Sequence, residues 1–138
     1  MTPVSQTEFC GPHSTGNCWA ACIASMLDLP LADVPDLRGK ADGEWYDLTV
    51  KFLRSKGMTI DISGGRTRRP EGGFRFAPPP PGEGPLIASG ESPRGASGGH
   101  SIIVDRSGAM LHDPHPSGDG ICGHPWDYWE IIPLPPLS

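Results

Sequence analysis

Three side chains with the chemistry of thiol catalysis lie far apart in the sequence. Cys18 follows Asn17 and opens a run of alanine and apolar residues, which predicts a thiol in the first turn of a buried helix. At that position the unpaired backbone N–H groups and the helix dipole favour the thiolate. His100 could exchange a proton with this thiol, and Asp113 could hold the second ring nitrogen of the imidazole. The three residues therefore predict a Cys-His-Asp triad.

Each of these residues also has a purely structural interpretation. Cys18 could be an ordinary buried cysteine, as we expect for Cys22 one helical turn later. His100 could simply end a strand, and Asp113 could be a turn residue before a proline. The catalytic interpretation is favoured because all three contexts occur together in one chain.

Two neighbours of the triad are candidate substrate-binding residues. Trp19 follows the nucleophile, and Gly99 precedes the histidine, where it forms with Gly98 a pair of glycines that allows close approach. The aromatic residues near the C-terminus are expected in the core or in the wall of a cleft: Trp126, Tyr128 and Trp129.

Zinc binding is the alternative chemistry. Cysteines and histidines occur together at four short spacings: Cys10-x-x-His13, Cys18-x-x-x-Cys22, His112-x-x-His115 and Cys122-x-His124. These spacings fit no strong zinc-finger pattern, and two cysteines four residues apart on one helix suit a closed tetrahedral site poorly. We therefore expect no metal and no other cofactor.

The predicted elements indicate how the triad could assemble. A first helix is predicted from residue 17 or 18 to about 28, and a second from about 42 to 56. The predicted strands cover residues 58–62, 86–88, 101–104, 109–111 and 129–134. Two helices followed by an antiparallel sheet define an α+β fold.

The sequence Asp105-Arg106-Ser107-Gly108 predicts a hairpin loop, because aspartate can open a type I turn and glycine can close it. A four-residue loop gives three strand pairs: Val104 with Ala109, Ile102 with Leu111, and His100 with Asp113. This register would place the histidine and the aspartate opposite each other on one face. A three-residue loop with a bulge would change that parity.

Glycine and proline are concentrated in one part of the chain. They supply 19 and 17 of the 138 residues, and 17 of them lie between Gly64 and Gly99. We expect a single domain over residues 1–138 with a loop at about 64–99, because such a composition disfavours a helix or a central strand. The loop could be a solvated linker or a lid over the site.

Composition excludes several classes of protein. The net charge of −5 argues against a general nucleic-acid binder. No stretch approaches the roughly 20 apolar residues of a membrane span. The first eleven residues have no basic cluster, so we do not expect a secretory signal, and we expect a cytoplasmic protein without disulfides.

The sequence resembles the papain-like cysteine peptidases. The likeness is closer to their small bacterial branch around bacteriocin-leader peptidases and to short papain-like proteins of phages and bacteria. The similar blocks are Gly-Asn-Cys-Trp at 16–19 and the run to residue 30, Val34-Pro35, residues 92–95, Gly-His-Ser-Ile-Ile-Val at 99–104, and His-Asp-Pro-His-Pro-Ser at 112–117. The resemblance implies a papain-like fold, in which the nucleophile helix packs on a small antiparallel sheet. It also implies that Cys18 is the nucleophile, His100 the base and Asp113 the residue that orients the base.

In such enzymes a glutamine upstream of the nucleophile usually completes the oxyanion hole. Gln6 is the only glutamine in the chain, and it lies twelve residues before Cys18, about twice the separation that the resemblance implies. It could instead be a surface residue in a loose N-terminus. Asn17 or Thr15 would then have to take the role.

The reaction expected from the resemblance is hydrolysis of a peptide or isopeptide bond through a thioester. Amidase, deamidase and acyl-transfer chemistry on the same triad remain alternatives. A non-catalytic phage or bacterial protein that holds a partner in the cleft is a further alternative. We expect a peptide or protein substrate, no contact with nucleic acid or membrane, and a site in the bacterial or host cytoplasm.

Overall fold

The computed structural model describes residues 1–9, 16–38, 40–94 and 99–135. The helices are α1 (Cys18–Met26), a 3-10 helix (Leu31–Asp33) and α2 (Asp42–Ser55). The strands are β1 (Met58–Gly64), β2 (Arg66–Arg68), β3 (Phe74–Phe76), β4 (Leu86–Glu91), β5 (His100–Val104), β6 (Met110–His112) and β7 (Cys122–Pro133). Within these ranges, no helix is long and apolar enough to cross a membrane.

Five strands form one antiparallel sheet in the order β1-β7-β4-β5-β6, and β2 pairs with β3 in a separate ribbon. Helix α1 packs against β5, and α2 packs against β1. The α+β prediction is therefore confirmed at this level, as two helices on a five-stranded antiparallel sheet.

Helix α1 is the buried centre of the molecule. All six residues from Ala20 to Ser25 are buried, and Ile23 is 1% exposed. Burial of one such side chain contributes about 1.5–3 kcal/mol. The Ser25 hydroxyl donates to the carbonyl of Ala21 at 2.8 Å and accepts the N–H of Val4 at 2.9 Å. Helix α1 therefore binds the N-terminal segment through Ser25, and its first residue is Cys18, the candidate nucleophile.

The range predicted as a loop, residues 64–99, also contains the short strands β2 and β3, and the strand predicted at 86–88 within it is confirmed as the first half of β4. Strand β4 is even the central strand of the sheet, and Leu86, Ile87 and Ala88 on it are 0% exposed. Only three consecutive apolar residues mark it in the sequence. Its stability comes from pairing on both sides, with β5 and β7, which composition does not reveal.

The proline run before β4 is held by one side chain. The Arg106 guanidinium donates to the carbonyls of Pro80, Glu83 and Gly84 at 3.1, 2.8 and 2.8 Å. It also pairs with the Glu130 carboxylate at 3.1 Å. This segment has no helix or strand hydrogen bonds of its own. Three of its carbonyls instead accept hydrogen bonds from Arg106, which lies in the β5–β6 turn.

The β5–β6 turn itself is as predicted. The carboxylate of Asp105 accepts the backbone N–H groups of Ser107 and Ala109 at 2.9 and 3.0 Å, and Gly108 has a φ of 90°. The predicted register was wrong, however, because Val104 pairs with Met110. Ile103 pairs with His112, and a bulge separates these two pairs. The extra residue of the bulge changes the parity.

Strand β7 is longer than predicted, since it begins at Cys122 and not at residue 129. Its first residues include Gly123, with a φ of 69°, and Pro125. Both residue types weaken a strand pattern. The first half of β7 therefore looks like a turn in the sequence, although it supplies part of the site.

Candidate active site

Cys18 is the first residue of α1 and is half-buried. Asn17 occupies the N-cap position, but its side chain makes no capping hydrogen bond. No acidic residue lies in the first turn either. The dipole and the N–H groups of this end of the helix are therefore not compensated by a side chain at the cap or an acid in the first turn.

The Asn17 side chain binds the N-terminal segment instead. Its oxygen accepts the backbone N–H groups of Thr7 and Glu8, both at 3.0 Å, and its nitrogen donates to the Thr7 hydroxyl at 2.9 Å. Its amide is thus used in fixing residues 7 and 8, which argues against the oxyanion role considered for it. Thr15, the other substitute, lies outside the described residues, as does Gly98.

His100 and Asp113 form a buried pair. Nε2 of His100 lies 2.6 Å from Oδ1 of Asp113, and the two side chains are 3% and 2% exposed. Oδ1 also accepts the N–H of His115 at 2.9 Å, and Oδ2 accepts the N–H of Gly120 at 2.8 Å. The carboxylate is therefore fixed at three points, and its bond to Nε2 leaves Nδ1 of the imidazole for exchange with a thiol.

Burial and hydrogen bonding act against each other in this pair. Burial alone would raise the pKa of Asp113, but the hydrogen bonds from His100, Gly120 and His115 outweigh it and hold that pKa below its ordinary value. Burial lowers the pKa of His100 in spite of the carboxylate, and the charges of Arg94 and His115 lower it further. The environment thus favours a neutral imidazole that can accept a proton.

Cys18 and His100 line the same two cavities. One is an open cleft of about 360 Å³, which we call the large cleft, and the other is a cavity of about 90 Å³, which we call the small cavity. The fold therefore brings the predicted nucleophile and the predicted base to one place, with Asp113 behind the base.

Gln6 is brought to this place too. It is 6% exposed and lines the small cavity together with Cys18 and His100. Its backbone N–H donates to the carbonyl of Pro114 at 3.0 Å, and its Nε2 donates to the carbonyl of Glu8 at 2.9 Å. Its Oε1 has no hydrogen-bond partner in the described part of the chain. The alternative of a surface glutamine in a loose N-terminus was therefore wrong.

The predicted substrate-binding residues lie on the two sides of the site. Trp19 lines the large cleft, where its ring meets those of Trp45 and Trp129 edge-on at 5.1 and 5.0 Å. Gly99 lines the small cavity with a φ of 76°, and a Cβ there would lie 2.7 Å from both the carbonyl oxygen of Gly90 and the ring of Trp126. Only glycine fits this position.

Cys22 is a second thiol near the first. It is 0% exposed, and burial raises its pKa well above the ordinary value, with further contributions from the charges of Cys18 and Asp113. A thiol of this kind stays protonated and unreactive. This agrees with its prediction as a plain buried cysteine.

Sequence reasoning missed three residues of the site. Arg94 and His115 line the small cavity, and Asp127 lines the large cleft. The signal for Asp127 was available, because it lies two residues before Trp129 on one strand and hence on the same face. Arg94 and His115 lie in turns, where no periodicity marks them.

The zinc alternative finds no support in the described ranges, where no group of three or more potential ligands occurs. His112 and His124 instead form hydrogen bonds with the backbone carbonyls of Val4 and Ala77. Cys10 and His13 lie outside those ranges.

The chain was also compared with known proteins, and no family model, curated protein or solved structure matched it.

Proposed function

We propose that this protein is a cysteine hydrolase that cleaves a peptide or isopeptide bond. Cys18 is the nucleophile, His100 the general base and acid, and Asp113 the residue that orients the imidazole. The observation that carries the proposal is the buried His100–Asp113 pair at 2.6 Å, next to a cleft that Cys18 also lines. A buried acid behind a histidine has a clear chemical use when the other ring nitrogen serves a nucleophile.

In the first half of the reaction, Nδ1 of His100 takes the proton of the Cys18 thiol, and the thiolate attacks the carbonyl carbon. A C–S bond forms, and the carbonyl electron pair moves to the oxygen. The backbone N–H of Cys18 and the Nε2 of Gln6 stabilise this oxyanion. When the pair returns, the C–N bond breaks and the leaving amine takes the proton from His100, which leaves a thioester.

In the second half, water gives a proton to His100 while its oxygen attacks the thioester carbon. The C–S bond breaks, the thiolate regains its proton, and a carboxylic acid is released. The balance is one water added per amide bond cleaved. An acyltransferase would differ only in the acceptor that replaces water, and an amidase or deamidase only in the amine that leaves.

The proposed fold is papain-like. Its support is the order of elements: the nucleophile opens the buried helix α1, the base begins β5, and the orienting acid follows β6. The helix packs directly on the strand that carries the base. The sequence resemblance described above concerns these same three segments.

Alkylation of the thiols tests this proposal. Iodoacetamide at low concentration should label Cys18 well before the buried Cys22 and the exposed Cys122 in intact-mass and peptide-mapping experiments. The variant His100→Ala should lose this preference, because the thiol then lacks its base. His124→Ala is the matched control, since that imidazole binds the carbonyl of Ala77 and lines neither cavity of the site. Equal labelling of Cys18 and Cys122 would refute the proposal.

A further inference from the structure

The large cleft contains an acidic group that the proposed mechanism does not use. Asp127 lies on β7 opposite Ser89 of β4, is half-buried and lines the cleft together with Cys18 and His100. Its Oδ1 accepts the indole N–H of Trp129 at 2.6 Å. This bond fixes the carboxylate in the cleft.

The charge of this carboxylate is not balanced by a neighbouring cation. In the described part of the chain, no lysine, arginine or histidine forms an ion pair with Asp127. Burial raises its pKa, since the ionised form loses hydration that only one indole N–H replaces. A cation bound in the cleft would restore that lost stabilisation.

The walls around Asp127 suit the rest of a basic side chain. The rings of Trp19, Trp45 and Trp129 border the same cleft. The indole N–H of Trp19 is bound to the Thr49 hydroxyl at 3.1 Å, and that of Trp129 is bound to Asp127. The polar N–H groups of these two rings are thus already bound, and the rings contribute apolar surface to the cleft for an aliphatic stem.

Two cationic residues also border this cleft, but neither neutralises Asp127. Arg38 is paired with Asp36 at 2.6 Å and with Glu8 at 3.3 Å, so its charge is already balanced. Lys40 is exposed. The carboxylate stays available to a ligand.

We infer that the cleft is a specificity pocket for a lysine or arginine side chain of the substrate, with Asp127 as the residue that selects the positive charge. The inference rests on the proposed function, because it assigns the substrate class of the same site. The preferred substrates would be peptides or isopeptides with a basic residue next to the bond that Cys18 attacks.

Matched covalent probes test this inference. Acetyl-dipeptide acyloxymethyl ketones alkylate an active-site thiolate at the ketone methylene and release a carboxylate, and they can carry lysine, norleucine or glutamate at either dipeptide position. With the wild type, we expect the best lysine probe to label Cys18 at least tenfold faster than its norleucine counterpart, with glutamate slowest. Rates are measured by intact mass.

The variant Asp127→Asn keeps an oxygen acceptor for Trp129 and removes only the charge. It should reduce the lysine-to-norleucine ratio to below threefold, and Asp127→Ser, a second variant, should do the same. Asp61→Asn, an exposed acid of β1, is the control and should keep the wild-type ratio. A wild-type ratio near one, or a ratio that survives in both Asp127 variants, overturns the inference.

Iodoacetamide carries no side chain and separates the two possible failures. If Cys18 is labelled selectively by iodoacetamide but shows no preference for lysine probes, the specificity inference is wrong and the proposed hydrolase stands. If Cys18 has no selective reactivity towards any reagent, the proposed function itself fails.

Discussion

Asp113 accepts hydrogen bonds from three directions, from Nε2 of His100 and from the backbone N–H groups of His115 and Gly120. One residue thus positions the imidazole of His100 and also closes the turn after β6. Substitutions of Asp113 can therefore separate its orienting role from its charge.

We expect Asp113→Asn to keep most of the reactivity of Cys18, because an amide oxygen can still accept the Nε2 proton, as it does in triads with asparagine. Its iodoacetamide rate should therefore fall less than that of Asp113→Ala. Asp113→Ala leaves the imidazole without orientation, so its rate should fall to that of His100→Ala. It should also lose about 1–3 kcal/mol of stability, because buried donors become unpaired.

Alkylation kinetics and urea unfolding measure both effects. Asp119→Ala, an exposed acid of the same loop, is the control for the loop. An Asp113→Ala variant that reacts as fast as the wild type would show that the carboxylate has no orienting role.

The buried side-chain amide of Gln6 supports its proposed role in the oxyanion hole. Its Oε1 is buried without a partner among the described residues, and such an atom is costly in a folded protein. Its amide lies at the small cavity beside Cys18 and His100. An amide held there, with one N–H bound to Glu8, has a second N–H that can serve an oxyanion.

At the scale of elements, the start of β5 depends on Gly99. A Cβ at this position would collide with the carbonyl of Gly90 and with the ring of Trp126, and the positive φ adds strain. We expect Gly99→Ala to destabilise the fold by more than about 2 kcal/mol and to slow the alkylation of Cys18, because β5 begins with His100, the proposed base.

Gly57→Ala is the matched control for this prediction. Gly57 has nearly the same φ, 75° against 76°, but a Cβ there meets nothing within 4 Å. It should cost only the backbone strain, about 1–2 kcal/mol, and leave the alkylation rate unchanged. Equal losses in the two variants, measured by urea unfolding, would contradict a steric role for Gly99.

The helices and the hairpin turn could be predicted because their signals are local. Helix α2 follows from the spacing of apolar residues and ends before Gly57, and α1 follows from a run of alanine and apolar residues. The turn at Asp105 follows from a side chain that binds backbone two and four residues ahead. Each of these signals lies within one element.

The central place of β4 in the sheet and the strand register could not be predicted in this way. Strand β4 is stabilised by pairing with residues of β5 and β7 that lie between 10 (Gly90 with His100) and 42 (Ile87 with Trp129) residues later in the sequence. The bulge between Ile103 and Val104 shifts the register, yet His100 and Asp113 still meet. Tertiary packing decides both features, and a single sequence carries no direct signal of it.

At the scale of the whole molecule, the site joins segments from both ends of the chain. The N-terminal segment supplies Gln6, and it is held by hydrogen bonds to Pro114 and Ser25 and by the His112 imidazole at Val4. Global unfolding must therefore dismantle the site. Conversely, protonation of the buried His100–Asp113 pair must change the free energy of unfolding of the whole protein.

This linkage predicts that acid destabilises the protein. The pKa of His100 is lowered from its ordinary value of 6.5, so the unfolded state binds the proton first as the pH falls. Stability should decline from about pH 6.5 downwards, by at most about 1.4 kcal/mol per pH unit from this group. The lowered pKa of Asp113 also makes the protein less stable in acid, but this contribution is lost only as the pH falls below the ordinary pKa of 3.8.

Urea unfolding between pH 8 and pH 5 measures this dependence, and His100→Asn should flatten it over that window. The raised pKa of Asp127 acts in the opposite direction, because there the native state binds the extra proton. The comparison is therefore made in both the wild-type and the Asp127→Asn backgrounds. If His100→Asn leaves the slope unchanged in both, folding does not lower the pKa of His100, and burial does not hold the imidazole neutral.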